Sequence, residues 1–104
     1  MDLITRTTVR DYSLNDLEAR RIQRRLAALR RRLAGRPDPI ATLLLTGDAR
    51  RHRVSARLRV RLGHLGGHLV GRKSAETADH AVRLASEQIE RQFRRITGRR
   101  TAER

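Results

Sequence analysis

The chain contains no cysteine, no tryptophan, one tyrosine, one phenylalanine and a single lysine, Lys73. Without cysteine there is no disulfide framework, no thiol nucleophile and no thiolate metal site. With aromatics at 2% of residues, the core must be built from Leu, Ile, Val and Ala. Rings on which unpaired bases could stack are also scarce: Tyr12 and Phe93 are the only candidates, and Phe93 falls on an apolar stripe. No run approaches the roughly 18 apolar residues of a membrane span. The opening M-D-L-I-T-R-T-T lacks the basic start and apolar stretch of a secretion signal, so a soluble cytoplasmic protein is the expectation. Acid is scarce as well, with 11 Asp and Glu against 25 Lys and Arg.

That imbalance gives a formal net charge of +14 on 104 residues, one domain's worth of chain. Genomic base composition could favour arginine over lysine, but it does not account for the excess over acid. A chain so basic repels itself when compact and attracts polyanions, so nucleic acid is the first partner to consider. Arginine suits phosphate because its planar fork makes two parallel hydrogen bonds and stays ionised.

The stretch Arg53 to Leu62, R-V-S-A-R-L-R-V-R-L, organises the rest. Val54, Ala56, Leu58, Val60 and Leu62 share one parity; Arg53, Ser55, Arg57, Arg59 and Arg61 share the other. Side chains alternate across a strand, so the pattern predicts a half-buried strand with one apolar and one arginine-rich face. Asp2 to Arg10 is rich in β-branched residues and reads as a first strand. Ser13, with Asp16 three residues on, predicts the cap of a helix whose Leu14, Ile22, Leu26, Leu29 and Leu33 fall within about a 120° arc. Gly35, Pro37 and Pro39 predict its end.

Ile40 to Thr46 predicts a strand inside the sheet, and the turn around Gly63 to Gly67 leads to a last strand, His68 to Arg72. The short connections imply an antiparallel meander. Ser74 predicts the cap of a second helix. Its core stripe would be Ala75, Ala78, Val82, Ala85, Ile89, Phe93 and Ile96, with Leu84 facing outward. On its outer face Asp79–Arg83, Glu87–Arg91 and Glu90–Arg94 stand four apart, the spacing of exposed helix ion pairs. Gly98 predicts the stop. The expectation is an α+β fold of order β-α-β-β-β-α, a four-stranded sheet with both helices on one face, residues 1–98 forming one domain and 99–104 a basic tail.

Little in the chain points to catalysis. The acids are scattered or spaced to pair with arginine, and no clustered Ser and His form a triad. His64 and His68 lie in a glycine turn with no carboxylate or cysteine beside them, and His52 and His80 stand alone among polar residues. The glycines do not form a phosphate-binding G-x-x-x-x-G-K-[ST] loop. Neither an enzyme nor a cofactor, metal or small-molecule substrate is implied. Sparse aromatics favour recognition of folded RNA by shape and backbone over readout of unpaired bases.

The element order, the turn Gly66-Gly67-His68-Leu69 and the segment Q-I-E-R-Q-F-R-R from Gln88 to Arg95 resemble the ribosome hibernation-promoting factors, also called ribosome-associated inhibitors. The resemblance spans nearly the whole chain and is most specific at Ile89-Glu90-Arg91-Gln92-Phe93, where the family shows an apolar residue, any residue, Arg, Gln and Leu. It implies binding to the small ribosomal subunit in the groove where mRNA and the tRNA anticodon ends lie, and silencing of translation. The RNA-contacting positions it implies are Arg91 and Arg95 in the second helix and Arg25 in the first. Arg24 and Arg94 stand beside them, and Arg57, Arg59 and Arg61 on the sheet face join the expected set. The chain departs from the family at Gln88, where a lysine is usual, and at Thr77-Ala78-Asp79-His80, which replaces an acidic-aromatic helix start. The dimer-forming C-terminal domain of longer members is absent from this sequence, so ribosome pairing would need other hibernation factors. Two other readings stand beside this one. One is a double-stranded RNA-binding domain, whose phosphate-gripping helix start is faintly similar to Gly71-Arg72-Lys73-Ser74. The other is an assembly protein whose arginines bind an acidic protein or membrane.

Overall fold

A computed structural model of the chain describes residues 4–33, 40–61 and 67–102. Six elements follow in the expected order: β1 (Ile4–Arg10), α1 (Asp16–Arg32), β2 (Ile40–Asp48), β3 (Arg53–Arg61), β4 (His68–Ala75) and α2 (Ala78–Ala102). The strands form one sheet in spatial order β1-β2-β3-β4. The pairs β2–β3 and β3–β4 are antiparallel, as the short connections imply, while β1 lies parallel to β2 because α1 carries the chain back across the sheet.

The central strand alternates as its parity requires: Val54, Ala56, Leu58 and Val60 are buried, and Arg53, Ser55, Arg57, Arg59 and Arg61 are exposed. Ala41, Leu43 and Leu45 of β2 and Leu69 of β4 extend the buried face. Over it lie Ile22, Leu26, Leu29 and Leu33 of the first helical segment and Ala78, Val82, Ala85 and Ile89 of the second. The core is aliphatic throughout; Tyr12 and Phe93 pack only at its margin. Gly71 fixes how closely α2 approaches the sheet, since a Cβ there would lie 2.2 Å from the Ala85 carbonyl oxygen. Gly47 meets the same limit against the Asp11 carbonyl, at 2.1 Å.

Several element ends differ from the sequence expectation. Helix α1 is capped by Asn15, not Ser13: Asn15 Oδ1 accepts from the Glu18 amide at 2.8 Å. Asparagine caps as well as serine, and starting at Asn15 puts Asp16 and Glu18 in the first turn, where the helix dipole favours acid. Strand β2 continues to Asp48 and β4 to Ala75, because pairing with β3 runs on through Asp48–Arg53 and Ala75–Val54. Ser74 is thus a strand residue, and Thr77 caps α2 through its Oγ1, 3.2 Å from the His80 amide. Leu84 is partly buried against the core, not turned outward. Helix α2 also passes through Gly98; an interior glycine costs only about 1 kcal/mol, and the flanking arginines are good helix formers. Leu62, Gly63 to Gly66, Gly35, Pro37 and Pro39 lie outside the described residues, as do positions 1–3 and 103–104.

Candidate nucleic-acid interface

Strand register places the open face of the sheet in rows. Arg6, Thr42, Arg59 and Val70 form one; Thr8, Leu44, Arg57 and Arg72 the next; Arg10, Thr46, Ser55 and Ser74 the third. Arg61 and His68 lie beside Ile40 at one end, and Arg53 pairs with Asp48 at the other. Arginine therefore recurs on β1, β3 and β4, interleaved with hydroxyls, and Asp48 is the one carboxylate at these described positions. Asp48 is itself engaged at the β2–β3 turn, where its Oδ1 accepts from the Arg50 and Arg51 amides at 3.1 and 3.4 Å. Arg59 Nε donates to His68 Nδ1 at 3.3 Å, and Arg53 donates to Ser74 Oγ and to its carbonyl, both at 3.0 Å. Between the strands a hollow of about 380 Å³ is lined by Leu44, Thr46, Ser55, Arg57, Arg72 and Ser74, among others.

The helix layer is organised differently. Arg25 Nε donates to Asp79 Oδ1 at 2.5 Å and Arg25 Nη2 to Oδ2 at 3.3 Å, a fork across the seam between α1 and α2. Arg32 pairs with Glu90 farther along the same seam, so the two helices run in the same direction. The Glu18 carboxylate takes the Tyr12 hydroxyl at 2.6 Å and reaches the Asp79 amide at 3.4 Å, in the first turn of α2. The Arg25 hydrogen bonds hold the Asp79 carboxyl below its ordinary value, partly opposed by burial, and raise Arg25 in turn. Burial, then the bond to Glu18, pushes the Tyr12 phenol up. Tyr12 is thus tied into the seam and offers no free ring for stacking.

These pairings correct the ones expected within α2 at Asp79 and Glu87. Asp79 meets Arg25 instead of Arg83, Glu90 meets Arg32 across the seam, and Glu87 lies 4.0 Å from Arg83, one turn before it. A partly dry seam between helices rewards an ion pair more than an exposed helix surface does. Of the expected RNA-contacting residues, Arg25 is therefore partly buried in an ion pair, while Arg24, Arg91, Arg94 and Arg95 are exposed on the helices. Arg57, Arg59 and Arg61 are exposed together on β3, on the opposite side of the molecule.

The sequence reading did not place Arg6, Arg10 or Arg72 on this face; strand order puts Arg72 beside Arg57, and Arg6 and Arg10 on β1, across β2 from β3. It also missed what Gln88 and Gln92 do. Gln88 Oε1 accepts from the Arg72 amide at 2.8 Å; Gln92 Oε1 accepts from the Val70 amide at 3.2 Å, and its Nε2 donates to the Val70 carbonyl at 2.7 Å. Two glutamines one turn apart on α2 thus satisfy the outward backbone groups of an edge strand. A lysine at position 88 has no acceptor to offer the Arg72 amide.

The same arrangement is found in solved structures. The N-terminal domain of Protein Y from Thermus thermophilus superposes with a TM-score of 0.71 at 21% identity, over 92% of this chain and 99% of that one. The chain has the Protein Y fold. A ribosomal subunit interface protein from Coxiella burnetii matches at TM-score 0.74 and 11% identity, with the same coverage. Both are members of the hibernation-promoting factor family that the sequence resembles. No protein-family model matches the chain, and no curated protein matches it in sequence. Among the described residues no helix is long and apolar enough to cross a membrane.

Proposed function

We propose that the chain is a ribosome-silencing factor that binds RNA of the small ribosomal subunit in the decoding groove and blocks mRNA and tRNA there. The observation that carries this reading is a basic surface on both sides of a fold shared, over nearly its whole length, with a ribosomal subunit interface protein. Arg24, Arg91, Arg94 and Arg95 supply the helix contacts, Arg25 braces them through Asp79, and Arg57, Arg59 and Arg61 supply contacts from the sheet. The protein acts by occupancy, with no reaction and no cofactor. The double-stranded RNA-binding alternative is weakened, because Arg72 and Lys73 lie within β4 and not at a helix start, and because β1 precedes α1.

Co-sedimentation with purified small subunits, competed with excess plain duplex RNA across a salt series, tests the reading. Stoichiometric binding that resists the duplex and yields to mRNA and tRNA is expected. Binding that the duplex removes and that salt abolishes steeply would mark charge alone and overturn it.

A further inference from the structure

On the open sheet face, Arg57 and Arg72 are direct cross-strand partners. The Arg72 amide points away from β3 to Gln88, so the two form the narrow, non-hydrogen-bonded kind of antiparallel pair, with Cα atoms about 4.5 Å apart. Like charges so placed repel. Neither side chain has an acid partner at the described positions of this face, where the sole carboxylate, Asp48, is held at a distant turn. The adjoining row presents Thr46, Ser55 and Ser74 across the same three strands, and the two rows line the same hollow. Along β3, Arg57 and Arg59 follow at about 6.8 Å, close to the separation of neighbouring phosphates on a nucleic-acid strand.

We infer how the sheet contacts assigned above are made: the Arg57–Arg72 pair and its hydroxyl row cradle a backbone phosphate, so that one chain joins two RNA segments on opposite sides of its sheet. Two guanidinium forks and flanking hydroxyls all donate, and a phosphodiester accepts from every side. The uncompensated repulsion within the pair is relieved when the anion arrives. Among the described residues no Phe, Tyr or Trp lies on the face, and its one imidazole, His68, is engaged by Arg59, so the site reads backbone and leaves bases unread. An acidic protein would present carboxylates singly on flexible side chains, whereas paired forks at strand spacing match a regular row of anions. The inference rests on the RNA-binding part of the preceding reading, but not on the ribosome.

Two short RNA duplexes carrying different fluorophores provide the test, with the full-length chain added at one protein per two duplexes and light scattering used to fix the stoichiometry. The wild-type chain should bring the labels together in a complex of one protein and two duplexes. R57Q/R72Q should still bind one duplex through the helix arginines yet lose the transfer signal, and the salt slope of its total binding should fall by about 0.7–0.9, the share of one phosphate contact. Its melting temperature should rise by roughly 1–4 °C as the repulsion goes, which separates loss of the site from loss of the fold. Absence of transfer with the wild-type chain, or transfer unchanged in R57Q/R72Q, would overturn the inference. So would polyglutamate competing as well as RNA at equal charge, which would assign the face to an acidic protein. Failure to co-sediment with small subunits would leave this result standing and remove only the ribosomal reading.

Discussion

The two faces of this molecule carry the same residue type and treat it in opposite ways. On the helix side, arginines of α1 meet acids of α2 across a seam, and Arg25–Asp79 and Arg32–Glu90 consume charge to hold the two helices together. On the sheet side, arginines stand beside arginines with hydroxyls between them. An arginine count alone makes the faces look equivalent. Partner geometry separates them into one that is largely structural along its seam and one whose charge is directed outward.

The largest effect that would break the contrast comes from the core both faces share. Gly71→Val drives a side chain into the Ala85 backbone and should cost about 3 kcal/mol, read as a lower denaturation midpoint with both RNA-binding faces lost together. R91E/R95E should weaken small-subunit binding at physiological salt by 100-fold or more and leave the melting temperature nearly unchanged, since both side chains point away from the core. Survival of binding would remove α2 from the interface.

Asp79→Asn sharpens the helix side. It should cost about 1–2 kcal/mol, because a charged fork at a partly exposed seam is lost. Asp79 has its carboxyl depressed by Arg25, so its contribution is complete above the ordinary carboxylate range near pH 4. It fades as pH falls through the lower folded-state value, where the unfolded chain has already taken up the proton. Acid titration of stability should therefore be shallower in the Asn variant. The smallest effect is expected at Ser86, whose buried Oγ has no hydrogen-bond partner among the described residues: Ser86→Ala should be neutral or stabilise by about 0.5 kcal/mol in chemical denaturation.

Much of this fold was legible in the chain because periodicity is a local property. The parity of Arg53 to Arg61 announced which side of β3 is buried, and the spacing of Ile22, Leu26 and Leu29 announced the helix that covers it. Element ends were less legible, since Ser13 and Ser74 look like caps until pairing and first-turn acids decide for Asn15 and Thr77. The site was legible in kind but not in arrangement. Arg72 beside Arg57 depends on the order and register of strands, and Asp79 with Arg25 on helices 54 residues apart in the chain. No window of sequence holds both partners. Gln92 belongs to the motif that carries the resemblance, yet its side chain serves the β4 backbone, so a recognisable motif position need not touch the ligand.

The bonds from Gln88 and Gln92 also set an order of events during synthesis. Strand β4 leaves the ribosome before the helix that closes its outer edge, so for a time Val70 and Arg72 present open backbone groups to any neighbouring strand. The β4 edge closes only when α2 has emerged. A chain halted short of residue 88 should then be cut readily by protease and associate through β4, while a chain that includes Gln88 and Gln92 resists both.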